Sequence, residues 1–217
     1  MVFGKIEYLN LLPFHIFMKR FVQYSSAKKT LEYKKNVPAK INREFHNKRV
    51  DAAFISSITA QKHKHINLGI VAKKEVQSVL VIPADSHIHD NESASSNQLA
   101  KILGIEGQVL IGDKALKYAL HNKEYIDLAK EWHTRYRLPF VFALLCFHKN
   151  KHLYKRIEKN FLKKPYKIPQ YILEKASNKT DINKKDILHY LSLISYHIDK
   201  KSQLGLKKFY KESQKKV

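Results

Sequence analysis

Amides and hydroxyls, not charges, stand where the apolar runs of this chain end. Asn10 follows the run that starts at Gly4, Ser56 and Ser57 close Asp51-Ala-Ala-Phe-Ile, Ser78 interrupts Val76-Gln-Ser-Val-Leu-Val, and Ser95, Ser96 and Asn97 precede the apolar Leu99 and Ile102. Such side chains hold carboxylates and hydroxyls by hydrogen bonds, and an amide donates and accepts at once. Where they open a helix, its first N–H groups add an anion site. Each position also has a plain structural use. Asn10 can close its own strand-to-helix turn, the serines and Asn97 can cap helices, and Ser78 can bond to neighbouring backbone.

Other chemistry is weakly represented. His63 with His65, and His87 with His89, alternate without the third acidic or thiol partner that a zinc site needs. Cys146 sits inside the apolar run 138–147, where it reads as a small buried hydrophobe, not a nucleophile. Asp113 follows Gly112 and reads as a helix cap, not a base. No metal and no cofactor are expected.

The elements that must position these residues follow from periodicity. Residues 4–9 read as a strand, Pro13 opens a helix to about Tyr24, and 31–37 is a second strand. Pro38 opens a helix with apolar Ile41 and Phe45, and 51–57 is a buried strand ending in hydroxyls. Strands follow at 68–71 and 77–82, then a polar loop 85–97, a helix through Leu103, and a strand, turn and helix from Val109. A helix over 125–135 precedes an apolar strand at 139–147, and the remaining chain reads as helical pieces separated by Pro165 and Pro169. The last stretch, 182–215, is capped by Asp181 or Asn183 and has apolar spacing at Ile187, Leu188, Leu191, Ile194 and Ile198.

Strand alternating with helix implies an α/β chain with parallel pairing, whose ligands lie beyond the carboxyl ends of the strands, where Asn10, Ser56 and Ser57 fall. Two strand-helix blocks, before and after Gln77, imply two lobes with a cleft between them. Residues 1–76 and 145–217 would form a discontinuous first lobe and 77–144 the second, joined by connecting strands at 77–82 and 139–147.

The 217 residues carry a formal net charge of +22, which by itself suggests a nucleic acid or an anionic membrane. Lysine far outnumbers arginine, however, and is scattered along the chain, while phosphate and base readers favour arginine. With no zinc-finger spacing, helix-turn-helix or RNA-binding motif, no nucleic-acid partner is expected. The run 138–147 is too short to span a bilayer, and Glu7, Asn10, Pro13 and His15 break any export signal. A cytoplasmic protein, monomer or homodimer, is the expectation.

Six segments in order resemble the chorismate dehydratases of the futalosine route to menaquinone. They are Lys5-Ile-Glu-Tyr-Leu-Asn-Leu-Leu-Pro-Phe, Asp51-Ala-Ala-Phe-Ile-Ser-Ser-Ile, Val76-Gln-Ser-Val-Leu-Val, Leu110-Ile-Gly-Asp-Lys-Ala-Leu, Asp127-Leu-Ala-Lys-Glu-Trp and Leu138-Pro-Phe-Val-Phe-Ala. The endings Lys184-Lys-Asp-Ile-Leu-His-Tyr-Leu and Gly205-Leu-Lys-Lys-Phe-Tyr are similar as well.

The resemblance implies the two-lobed fold of type II periplasmic binding proteins and a lyase that removes water from chorismate, giving 3-enolpyruvylbenzoate without a cofactor. Asn10 and Ser78 would then be catalytic, and Ser56, Ser57, Ser95, Ser96 and Asn97 would bind substrate. The alternatives are a sister enzyme acting on a cyclic futalosine product and a non-catalytic binder of small anions.

Overall fold

The computed structural model describes residues 1–23, 32–84, 86, 88–163 and 167–215. The expected helix end at Tyr24, strand start at Leu31 and loop start at Asp85, together with His87 and Pro165, lie outside them.

Two sheets organise the chain. The larger has the order β2-β1-β3-β8-β4-β9, and the smaller β6-β5-β7. β1 (Val2–Lys5) leads through a 3-10 turn (Leu9–Leu11) into α1 (Leu12–Gln23). It pairs in parallel with β2 (Glu32–Lys35) and with β3 (Ala52–Ser56), which α2 (Pro38–His46) precedes and the short α3 (Ser57–Ala60) follows. All five residues of β3 are buried, as expected of a strand covered on both faces. β4 (His65–Ala72) continues the same sheet.

The chain then leaves to build the small sheet from β5 (Val79–Ile82), β6 (Gln108–Ile111) and β7 (Ile126–Asp127). α4 (Ala94–Leu103), α5 (Gly112–His121) and α6 (Leu128–Tyr136) accompany these strands. It returns along β8 (Phe140–Phe147), antiparallel to both β3 and β4. Among the named strands parallel pairing is confined to β1, β2 and β3, with one isolated parallel bridge between Ile88 and Gln108. An excursion that ends by re-entering the sheet from the far side runs opposite to the strands it left.

Two expectations change. Residues 77–82 and 139–147 are not a shared pair of connecting strands. β5 is the centre of the small sheet, and β8 pairs with the large one over its whole length, so a boundary at 144/145 would cut through it. The C-terminal part, moreover, is not wholly helical. After α7 (Lys151–Leu162), α8 (Gln170–Thr180) and α9 (Lys184–Leu193), residues Ile194–His197 form β9, an edge strand antiparallel to β4, before α10 (Lys200–Ser213). Asn183 caps α9 by accepting from the Lys185 N–H at 2.9 Å, while Asp181 ends α8 in a left-handed conformation.

Aromatic packing fixes the elements around the Asn10 turn. The fully buried Phe14 meets Phe54 edge-on at 4.9 Å between ring centroids and Phe161 at 5.3 Å, which clamps α1 against β3 and α7. Such a residue contributes about 3–5 kcal/mol by the cost of its truncation.

Candidate functional site

A cleft of about 600 Å³ lies between the two sheets. The 3-10 turn presents Asn10 to it, the end of β3 presents Ser56, the segment before β5 presents Ser78, and the start of α4 presents Ser93 and Ser96. Phe54, Ile70, Val79 and Phe142 supply apolar walls, and among the described residues none lining the cleft carries a charged side chain. Anion recognition there falls to backbone and hydroxyls. α4 and α5 both begin at the cleft wall, through Ser93 and through Ile111 and Gly112, with the positive ends of their dipoles toward it.

Ser78 is held by a residue that does not stand out in the sequence. Tyr190 of α9 is completely buried, and its hydroxyl donates to Ser78 Oγ at 2.9 Å. The Asn10 carboxamide lies beside the same hydroxyl. With Tyr190 donating to Ser78, the Ser78 hydroxyl keeps its own proton for a partner in the cleft. Burial pushes the Tyr190 phenol far above its usual range, so it stays protonated and relays polarity, not charge. The main chain of Asn10 is held as well, its carbonyl accepting from the Tyr196 hydroxyl at 2.6 Å.

Ser56 is held in the same manner by Asn42 of α2, another residue missed from sequence. The Asn42 amide donates to Ser56 Oγ at 2.9 Å while its oxygen accepts from the Ser56 N–H at 3.2 Å. The Ser56 hydroxyl proton is again left for the cleft. Ser93, not Ser95, caps α4. Its oxygen accepts from the Ser96 N–H at 3.2 Å and lies 2.7 Å from Ser96 Oγ.

The structure does not bring every expected residue to the cleft. Ser57 and Ser95 are completely buried against each other, 3.0 Å apart between hydroxyl oxygens, and Ser95 Oγ also accepts from the Ile58 N–H. They join α3 to α4 and do not line the cleft. Asn97 points back at the preceding loop, its amide donating to the Asp90 carbonyl at 2.7 Å and its oxygen accepting from the Asp90 N–H at 3.0 Å. The reason is helical geometry: α4 starts one residue before Ser95, so only Ser96 of the three projects from the first turn into the cleft.

Asp113 does cap, but across the cleft and not on its own helix. Its carboxylate accepts from the Leu9 N–H at 3.0 Å, and burial raises its pKa to about 6. Tyr8, beside it, donates to the Glu92 carboxylate. Gly112 begins α5 at φ +69°, and a Cβ there would come within 2.8 Å of the Tyr8 ring, so both the backbone and the close approach require glycine. The Cys146 thiol is buried, and burial pushes it far up the scale, away from thiolate chemistry. His63 packs on Phe45, its pKa lowered by burial and by His148 and His46. Among the described residues no cluster of three or more His, Cys, Asp or Glu is placed to hold a metal ion, and no helix is long and apolar enough to cross a membrane.

Comparison with known proteins adds to this geometry. The family described as menaquinone biosynthesis matches residues 1–108 and 93–215. A chorismate dehydratase of Campylobacter jejuni subsp. jejuni serotype O:23/36 (strain 81-176) is 47% identical over 215 residues, 97% of this chain and 96% of that protein. In solved structures, an Archaeoglobus fulgidus protein superposes with a TM-score of 0.73 at 12% identity, covering 98% of this chain and 96% of its own. The periplasmic aliphatic sulphonate binding protein of Escherichia coli does so at 0.55 and 11%, covering 97% and 86%. These structures share the periplasmic-binding-protein fold with the chain described here.

Proposed function

The chain belongs to the menaquinone-biosynthesis family, and from that premise we propose that it is a chorismate dehydratase, a carbon–oxygen lyase that converts chorismate to 3-enolpyruvylbenzoate and water. The observation that carries the reading is the cleft, uncharged among its described lining residues, in which Asn10 and the Tyr190-held Ser78 face the starts of α4 and α5. Chorismate is a dianion with a ring hydroxyl and an enolpyruvyl ether. Loss of that hydroxyl and of one ring proton makes the ring aromatic, so the reaction is downhill once the proton moves. What remains for the protein is to fix the conformer, hold two carboxylates and assist a leaving hydroxyl.

The residues divide those tasks. Ser96 and Ser93, with the first N–H groups of α4, suit one carboxylate, and Ser56 with its free hydroxyl proton suits the other. Ser78 donates to the departing hydroxyl, its oxygen held by Tyr190, and the Asn10 carboxamide, able to donate and accept, bonds to substrate. Among the described residues no carboxylate or imidazole lines the cleft to act as base, so the substrate's own enolpyruvyl carboxylate takes the ring proton and passes it to the departing hydroxyl, which leaves as water. Placing that carboxylate against the ring is a proximity effect, the kind of positioning that contributes most when the reacting groups are already in one molecule.

The two sheets are the centres of two lobes in this reading, with the chain crossing between them near 73–78 and again near 137–139. The protein works in the cytoplasm, on a small molecule, without nucleic acid or membrane. The test is purified protein with chorismate in chelating buffer against a protein-free control, followed by mass. A product lighter by one water supports the reading, and no protein-dependent loss of water from folded protein contradicts it.

A further inference from the structure

The turn that carries Asn10 is tied to the opposite side of the cleft at two consecutive residues. Tyr8 donates its hydroxyl to Glu92, in the loop before α4, and Leu9 donates its N–H to Asp113, in the first turn of α5. The loop that carries Glu92 is braced in turn. The Glu92 N–H is held by Asp90 Oδ1 at 2.8 Å, and the other Asp90 oxygen pairs with Lys114 at 2.9 Å, which joins the loop to α5. The Tyr8 ring lies against Gly112, where no larger residue fits. On its own side the turn has Tyr196 from β9, a strand of the same sheet as β1.

These ties differ in what a separation of the two sheets would do to them. The Tyr196 bond stays within the large sheet and survives. The Tyr8 and Leu9 bonds cross the cleft and break together, which leaves the backbone around Asn10 anchored on one side only. Burial of the Tyr8 hydroxyl and the charge on its partner make this bond stronger closed than in water.

We infer that Glu92 and Asp113 are positioning residues that set Asn10 in its reactive place only when the cleft is closed, through Tyr8 and the Leu9 N–H. Closure of the two sheets then completes the site instead of merely covering it. The inference rests on the dehydratase reading for its kinetic consequence, but not for its structural one.

The test therefore has two arms. With chorismate as substrate, Tyr8→Phe and Glu92→Ala each lower kcat about tenfold with KM changed by less than about threefold, and the double variant is no worse than either single one. Asp113→Ala lowers kcat similarly, and Asp113→Asn, which keeps an acceptor for the Leu9 N–H, recovers most of the loss. Without substrate, amide exchange of residues 8–10 is faster in Asp113→Ala than in wild type and returns toward wild type in Asp113→Asn, with melting curves confirming the fold.

Wild-type kcat in Tyr8→Phe and Glu92→Ala, or effects that multiply in the double variant, would overturn the inference. So would unchanged amide exchange in Asp113→Ala. If wild-type protein is inert toward chorismate, the dehydratase reading fails instead, and the exchange arm still decides whether the turn is tied.

Discussion

Tyr8 stands in the wall of two cavities that differ in charge. On one side is the cleft, with amides, hydroxyls, helix starts and apolar walls. On the other is a hollow of about 820 Å³ that carries Lys5, Lys35, Lys175 and Lys179 along with Glu7, Asp113 and His15. Counting cations would put a dianion in the hollow. The physics favours the cleft, because three of the four lysines of the hollow, Lys5, Lys35 and Lys179, are already engaged by Glu7, and Lys35, Lys175 and Lys179 are exposed. Glu7 bonds Lys5 at 3.2 Å, Lys35 at 3.4 Å and Lys179 at 3.3 Å, and although burial works against it, the bonds from Lys5 and Lys179 bring its pKa down to about 2. Burial lowers His15 to about 4, so it adds no charge at neutral pH. Oriented dipoles in a site of low polarity need no reorganisation to receive an anion, whereas exposed ammonium groups are screened and mobile.

Removing a cleft residue and a hollow residue in parallel tests this difference most strongly. Asn10→Ala should lower kcat by about 100- to 1,000-fold, the range for losing one preorganised polar group at a reacting centre. Lys179→Ala should stay within about threefold of wild type, since an exposed ion pair contributes little. A comparable loss in both, measured by steady-state turnover with the fold checked by circular dichroism, would erase the distinction.

Gly112→Ala comes next. A side chain at φ +69° that also meets the Tyr8 ring should cost about 1–3 kcal/mol of stability, read in denaturant melts, with kcat/KM falling as Tyr8 is displaced. Ser56→Ala is smaller, a rise in KM of about tenfold with kcat nearly kept, because it removes a bond made alike to substrate and transition state.

The smallest effect is on stability and depends on pH. Asp113 sits at about 6 in the folded chain, above the 3.8 of the free side chain, through burial. Between those values the folded chain holds a proton that the unfolded chain has lost, so stability falls as pH rises through the window. Asp113→Asn does not ionise and should melt above wild type at pH 7 to 8, by a margin that shrinks toward pH 4. A margin independent of pH would show that the charge is not what burial penalises.

Legibility in the sequence follows the same divide. Asn10, Ser56 and Ser78 stand out because a polar residue at the end of, or inside, a buried apolar run is unusual enough to need a reason. Tyr190 and Asn42 do not. Tyr190 follows Ile187 at helical spacing and reads as one more core residue, and only the fold brings it to Ser78, 112 positions away in the chain. Asn42 lies next to Ile41 on a helix whose apolar face hides an amide turned toward β3.

Ser57 stands at a strand end and Ser95 near a helix start, but neither position says which side of a helix start faces a cleft. β9 was lost because Ile194 and Ile198 continue the four-residue spacing of α9, and a short edge strand leaves too few residues to show a period of two. Antiparallel return along β8 was equally hidden, since strand direction depends on where an excursion re-enters a sheet.

A crystal structure of the protein with 3-enolpyruvylbenzoate bound would test the choice between the two cavities most directly. The expected result is product in the cleft, one carboxylate at the start of α4 beside Ser96 and the ring within reach of Asn10 and Ser78. Product held instead among Lys5, Lys175 and Lys179, with the cleft unchanged, would contradict it.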